Sequence, residues 1–324
     1  MGRLIKGLGI LVLAVVALVL IGWLALLRPD IGYDKLEARY GDAASRYLDL
    51  PGGVHMRYRD QGQPGGHVLV LVHGFSASAQ DWDDWVRLLS PRYRVITLDL
   101  PGHGLTRAPA RWPAGPDAYA DLVASAADRL GLKSFVLAGN SMGGGVAWDF
   151  ALRHPERLRG LVLEDAAGWA PPKSQQGGAL IFQILRNPIG RAFLRDIDTK
   201  PLIAQGLKSA FVDEKLVTPG LVDRYSDLAR APGHRAILIG LQTGQRREAT
   251  PAVLSAIKVP TLVMHGREDR LIPFADGEAF ARAIPGATLV AYPGVGHVPM
   301  EQIPERSAAD LDAWLRTKVW PGAG

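Results

Sequence analysis

The sequence predicts an α/β fold: a doubly wound, mostly parallel sheet flanked by helices, with an inserted helical cap and one apolar helix in front. Three observations lead there. Six short apolar runs recur, "VLVLVHG" (68–74), "RVITLDL" (94–100), "FVLAGN" (135–140), "LVLEDA" (161–166), "TLVMHG" (261–266) and "TLVAYP" (288–293). Nearly continuous Val, Ile and Leu is what strands covered on both faces require. Helical stripes lie between the runs, and the alternation of strand and helix gives a parallel sheet wound on both sides. Finally, the rhythm breaks once, at 167–258.

Taken in order, the chain opens on an anchor. From Gly7 to Leu27 there are 21 residues without a charge, enough as a helix to span the roughly 30 Å hydrocarbon layer of a bilayer. A signal peptide has an apolar region of about 7–15 residues ending in a small-x-small site. This run ends instead Ala25-Leu26-Leu27-Arg28-Pro29, so a retained anchor is expected. Arg3 and Lys6 precede it, whereas Arg28 and Lys35 beyond it are mixed with Asp30 and Asp34. The positive-inside rule then puts the N-terminus in the cytoplasm and the globular part on the outer, periplasmic or lumenal side.

Residues 28–45 are polar and of mixed charge and read as a tether. Alternation at Val54, Met56 and Tyr58 after Gly52-Gly53 predicts a hairpin over 46–60. In 117–131, Tyr119, Leu122, Val123, Ala126, Ala127 and Leu130 share one helical stripe, closed by Gly131 at the C-terminal cap position. Residues 81–89 and 307–319 also read as helices. The stretch 167–258 carries helical fragments such as "ALIFQILRN" and "LVDRYSDLAR" between prolines, and is expected to cap the C-terminal ends of the strands. The expected organisation is an anchor (1–27), a tether (28–45), a core in two parts (46–166 and 259–324) and a cap (167–258).

With 324 residues, 48% of them hydrophobic, the chain can bury a large core. Its net charge of +5 comes from 37 scattered Lys and Arg rather than a basic stripe with interleaved aromatics. No nucleic-acid partner is expected, and contact with an anionic membrane surface stays open. The absence of cysteine removes disulfides, Cys-ligated zinc and thiol catalysis together.

The chemistry gathers where a parallel sheet places it, at the carboxyl ends of strands. Ser141 stands in Gly139-Asn140-Ser141-Met142-Gly143, directly after one apolar run and before a helical pattern. A strand that turns at once into a helix holds its middle residue in strained geometry and presents the hydroxyl, and flanking glycines remove side chains that would collide. Alone, the pentapeptide is also compatible with a structural glycine turn. A serine hydroxyl needs a base, in practice an imidazole oriented by a carboxylate. Of eight histidines, His297 in "YPGVGHVPM" follows the last strand on a glycine-flanked loop and is the expected base. His265 reads as part of a strand, His154 and His234 as solvated or structural, and His55 and His67 precede the main sheet. The expected acid is Asp269, in a loop between Gly266 and Pro273. Asp165 is the alternative acid in the same serine–acid–histidine order, with bracing the start of the inserted segment as its plainer role. Glu268 reads as a solvated neighbour. The backbone N–H groups of Met142 and Phe75 are the expected oxyanion donors, His73 a scaffold residue, and Phe75 alternatively a wall of the pocket.

Together "LVHGFSASAQDWDDW", "VITLDLPGHGLT", "LAGNSMGGGVAWDFALRHPERLRGLVLEDAAG", "TLVMHGREDRLIP" and "YPGVGHVPMEQIPE" resemble the α/β-hydrolase superfamily, from about Tyr47 to Val319. The resemblance implies an α/β-hydrolase fold, a triad of Ser141, Asp269 and His297, and an oxyanion hole at Phe75 and Met142. Asp99 and His103 in "DLPGHG" then read as structural. Relatives that dehalogenate or open epoxides use an aspartate nucleophile, which a serine at 141 argues against. With its apolar N-terminal run the chain looks most like membrane-anchored monoacylglycerol lipases. The expected activity is hydrolysis of lipid-like acyl esters, with no cofactor and no metal. The alternatives are carbon–carbon bond hydrolysis of ring-fission products, or a cofactor-free perhydrolase. Leu180, Ile181, Phe182, Ile184 and Leu185 beside Arg186 and Arg191 offer a second membrane contact on the cap or, equally, plain packing. The sequence does not indicate an oligomeric state.

Overall fold

The computed structural model describes residues 2–169, 187, 190–191, 195–243 and 247–322. The fragment 180–186, and with it the apolar cap segment singled out above, lies outside the described residues.

Eight strands form one sheet: β1 (Ser45–Leu50), β2 (Val54–Gly62), β3 (Val68–Val72), β4 (Arg94–Leu98), β5 (Phe135–Asn140), β6 (Leu158–Glu164), β7 (Thr261–Gly266) and β8 (Thr288–Tyr292). Their order is β1-β2-β4-β3-β5-β6-β7-β8. β1, β2 and β4 pair antiparallel, and every pairing from β4 onward is parallel. The hairpin turns at Gly52 and Gly53, both with positive φ. All six apolar runs are strands.

Alternation along the buried strands serves two cores. Val70, Val72, Leu137, Leu161 and Leu163 face one side, packed by α4 (Pro116–Arg129) and α5 (Met142–Arg153). Leu69, Leu71, Val136, Ala138 and Val162 face the other, with Trp82 and Trp85 of the segment around α3 (Asp83–Leu89) and Leu311 and Trp314 of helix Pro304–Trp314. Such strands have no polar face because neither side meets water. The segment expected as one helix over 307–319 is helix Pro304–Trp314 continued by a wider turn, Leu315–Val319.

Between β6 and β7 the described residues hold helices Lys200–Ala210, Pro219–Ala229, His234–Thr243 and Pro251–Leu254. Thr218 and Thr250 cap two of them by accepting from Leu221 and Val253. Helix α1 (Gly2–Leu26) precedes all of this. Its Ile5–Leu26 stretch, 22 residues long and unburied, is about 33 Å of apolar helix. Length and composition alone fit both a membrane anchor and a signal sequence. The stretch 28–45, expected as a polar tether, is seated on the protein: α2 (Tyr33–Tyr40) buries Leu36 against Leu105, Leu228 and Ala231. One buried residue in an otherwise charged helix leaves no periodic signal, which is why the sequence reads as a spacer.

Candidate active site

Ser141 sits between β5 and α5 at φ +53°, ψ −115°, a left-handed conformation that costs a non-glycine residue about 1–3 kcal/mol. The glycines around it are steric necessities. A Cβ on Gly139 would lie 2.1 Å from the Gly143 carbonyl oxygen, and one on Gly143 would lie 2.1 Å from that of Val72. The turn is also clasped from the end of β6 and the loop after it, since Ser141 N–H donates to Glu164 O and Ala167 N–H donates to Ser141 O, both at 2.9 Å. Met142 opens α5, so its N–H belongs to the unsatisfied first turn and the helix dipole points at the hydroxyl.

His297 lies on the loop after β8. Its Nδ1 is 2.7 Å from Asp269 Oδ2, and a carboxylate partner there requires Nδ1 to carry the proton, leaving Nε2 as the acceptor. Asp269 Oδ1 accepts from the N–H groups of Leu271 (2.7 Å) and Ile272 (3.0 Å). Burial opposes the charge on Asp269. The hydrogen bond and charge of His297 and those two amides outweigh it and hold the carboxyl below its ordinary range. Further hydrogen bonds fix the histidine loop: His297 N–H donates to Ala210 O (2.8 Å), Asn140 Nδ2 donates to His297 O (2.9 Å), and Glu268 Oε2 accepts from Gly294 N–H (2.7 Å). The acid and histidine loops touch so closely that a Cβ on Gly266 would fall 1.9 Å from Gly296 O.

The third wall is the loop after β3. A Cβ on Gly74 would sit 3.4 Å from Ser141 Cβ, so the backbone leading into Phe75 runs beside the serine. Phe75 itself is 39% exposed and lines the pocket. His73 has both ring nitrogens occupied, Nδ1 on Gly74 O (2.7 Å) and Nε2 on Leu100 N–H (3.1 Å). Asp99 is buried and takes the N–H groups of Ala79 and Leu105 and the Arg57 guanidinium. His103 is held neutral, its pKa well below the usual value by burial and then by the nearby His73 and His234.

Ser141 and His297 line one cavity of about 360 Å³, together with Gly74–Ala77, Asp81, Asn140, Leu202, Ile203, Gly206, Leu207, Ala210, Tyr225, Leu271 and Val298. Among these described residues there is no Lys or Arg. The one acid, Asp81, is occupied by Tyr225 OH (2.8 Å) and Arg224 (3.1 Å).

Residues 67–303 match the family described as the alpha/beta hydrolase fold. The chain belongs to that family. This α/β-hydrolase is 30% identical over 258 residues to 2-hydroxymuconate semialdehyde hydrolase of Pseudomonas sp. (strain CF600), covering 76% of this chain and 86% of the relative. It is 29% identical to a bifunctional esterase/perhydrolase of Acinetobacter calcoaceticus, over 84% of this chain and 99% of the relative. Among solved structures, a membrane phospholipase A described as a bacterial virulence factor is 28% identical with a TM-score of 0.70, covering 98% of this chain and 99% of that one. The chain is a hydrolase, and its relatives include esterases, lipases and carbon–carbon bond hydrolases.

In this α/β-hydrolase the expected serine and base share a cavity, and the base bears the expected acid. Asp165, the alternative acid, is not paired with His297. Its Oδ1 accepts from Gly266 N–H at 3.0 Å, so it braces β7 rather than the start of the insert. Glu268 is no idle solvated neighbour, since it pins the histidine loop. Asn140 and Gln302, which accepts from Gly296 N–H (3.1 Å), were not legible, because both act on a backbone that only the folded chain brings to them.

Proposed function

We propose that this hydrolase cleaves acyl esters by a serine mechanism, with Ser141 as the nucleophile.

 Ser141 attacks the acyl carbon, His297 Nε2 takes its proton and later returns it to the leaving alcohol, and Asp269 holds the imidazole in that tautomer. The N–H groups of Phe75 and Met142 face the oxyanion, where loss of one such donor raises the barrier by about 3–4 kcal/mol. Water then releases the acid through the same base. The observation that carries the reading is the arrangement itself: a serine on a strained turn and a carboxylate-bound histidine on the wall of one cavity.

The substrate side is neutral and lipid-like on this reading. Leu202, Ile203, Leu207, Leu271 and Val298 suit an acyl chain, and no cation lines the described wall to receive a carboxylate. That weighs against the dienoate for which one ring-fission relative is named, 2-hydroxy-6-oxo-6-phenylhexa-2,4-dienoate hydrolase of Burkholderia cepacia, 30% identical over 75% of this chain. Carbon–carbon bond hydrolysis nevertheless stays as the second reading, because relatives with that activity are as similar as the esterases.

A retained α1 favours a membrane lipid ester, of the monoacylglycerol or phospholipid kind. Its foot is stitched to the cap: Arg28 N–H donates to Asp196 O and Asp198 N–H to Leu26 O, both at 2.8 Å, four and two residues ahead of helix Lys200–Ala210 on the cavity wall. The likeness to the membrane phospholipase A covers too much of the chain to leave out the 25-residue helix. On this reading Arg3 and Lys6 favour an N-terminus in the cytoplasm and a catalytic domain on the outer side. A panel of chromogenic esters with short, medium and long acyl chains, run beside a ring-fission dienoate, tests the reading. Turnover of medium or long esters supports it, and turnover of the dienoate alone overturns it.

A further inference from the structure

Asp165 is one of three described non-glycine residues with left-handed backbone, at φ +43°, the others being Ser76 and Ser141. Its side chain is fully buried. Glu164 just before it and Ala167 two residues after it clasp the nucleophile, through Glu164 O on Ser141 N–H and Ala167 N–H on Ser141 O, while its own N–H donates to Met264 O at 2.9 Å. The strained backbone turns the carboxyl across to β7, where Oδ1 accepts from Gly266 N–H. There an oxygen of Asp165, an oxygen of Asp269 and a ring nitrogen of His265 all lie within 4.8 Å of one another. His265 Nε2 is 3.1 Å from Ile272 O, to which it donates, and stands 3.4 Å from Asp165 Oδ1 and 3.6 Å from Asp269 Oδ2. One short residue therefore joins the serine turn, the strand before the acid loop and the acid itself.

We propose that Asp165 is a positioning residue of the triad: its carboxyl backs the Asp269 carboxylate, and it takes over the negative charge when Asp269 carries none. The role rests on the triad reading of Ser141, His297 and Asp269. Two carboxyls this close in a buried site do not both ionise. Asp269 receives two backbone N–H groups and the imidazole, whereas Asp165 receives one N–H, so the charge belongs on Asp269 and the proton on Asp165. Burial first, then the charges of Asp269 and Glu164, hold Asp165 well above the usual carboxyl range. Its Oδ2, without a hydrogen-bond partner among the described residues, is the oxygen left to carry that proton. The ionisable groups around the pair are Glu164 on β6, His265 on β7, His297 after β8 and Asp276 on helix Phe274–Ala283. Removing the charge of Asp269 makes ionisation of Asp165 easier. Its proton then leaves to solvent, and the imidazolium that forms as Ser141 loses its proton is countered by Asp165.

The test is the rate of covalent inactivation by a fluorophosphonate, which reads activation of the serine without choosing an ester. It is followed across pH in the full chain for wild type, Asp165→Asn, Asp269→Asn and the double variant. Asp165→Asn should slow the wild-type rate several-fold, because the amide oxygen can still accept from Gly266 N–H while the carboxyl behind Asp269 is lost. Asp269→Asn should lose about a thousandfold near neutrality, then recover about tenfold on the alkaline side of the histidine limb as Asp165 ionises. The double variant should lack that second rise and be at least about tenfold slower than Asp269→Asn there. Equal rates for Asp269→Asn and the double variant at every pH overturn the proposal. If the double variant does not fold, an Asp269→Asn profile with no second rise overturns it alone. Wild type that does not react at Ser141 removes the triad itself, a result distinct from loss of the Asp165 effect alone.

Discussion

Gly143→Ala is the sharpest small perturbation of the serine turn. The added Cβ would lie 2.1 Å from Val72 O and 2.6 Å from His73 O, both backbone atoms at the end of β3. To reach ordinary contact near 3.4 Å, α5 and β3 must part by about 1.3 Å along the closer approach. β3 leads directly into Gly74 and Phe75, and α5 begins with Met142, so the displacement separates the two expected oxyanion donors. A misplacement of about 1 Å at a reacting centre costs about a hundredfold in rate. Overpacking of this kind also costs about 1–3 kcal/mol of stability, against the roughly 1 kcal/mol that Ala gains over Gly within a helix. The assay is kcat/KM on a soluble ester together with the thermal melting temperature. Gly145→Ala is the control, since its Cβ meets only the Ala167 carbonyl, O at 3.3 Å and C at 3.9 Å; it should stay within a few-fold of wild type. Wild-type turnover in Gly143→Ala would refute the steric reasoning.

Asp269→Asn should lower kcat by about a thousandfold or more with an unchanged melting profile near neutral pH; turnover within tenfold of wild type would remove Asp269 from the mechanism. Glu164 is buried and its carboxyl is held well above the usual range by that burial. A raised folded pKa contributes stability at low pH that is lost as pH rises through it, so the melting temperature should fall on the alkaline side, and less steeply in Glu164→Gln. Identical slopes in the two proteins would contradict this sign. Arg57, buried against the buried Asp99 at 3.2 Å, should cost about 3–5 kcal/mol when replaced by Met, read by denaturant unfolding. If α1 is the retained anchor proposed above, removal of residues 1–27 should release folded, active protein from the membrane pellet, and retention there would point to a second attachment.

The parts of this protein most legible in its sequence are those set by local geometry. Gly139 and Gly143 flank Ser141 because any side chain there meets backbone at 2.1 Å, and that demand reads directly as a motif. The strands read as apolar runs because both faces of the sheet are covered. Asp165 stands in the sequence as the alternative to the expected Asp269 because both follow a strand beside the serine, and the 2.7 Å contact with His297 belongs to Asp269. Asn140, Glu268 and Gln302 escaped because their partners are carbonyls and amides of the histidine loop, which carry no residue-type signal. α2 escaped because only Leu36 of its eight residues is buried.

The account stands most directly on where a covalent adduct forms. After reaction with a fluorophosphonate and digestion, mass spectrometry should find one modified peptide, carrying Ser141, and none in Ser141→Ala or in protein unfolded beforehand. An adduct on another residue, or undiminished ester turnover by Ser141→Ala, would contradict the assignment of Ser141 as the nucleophile.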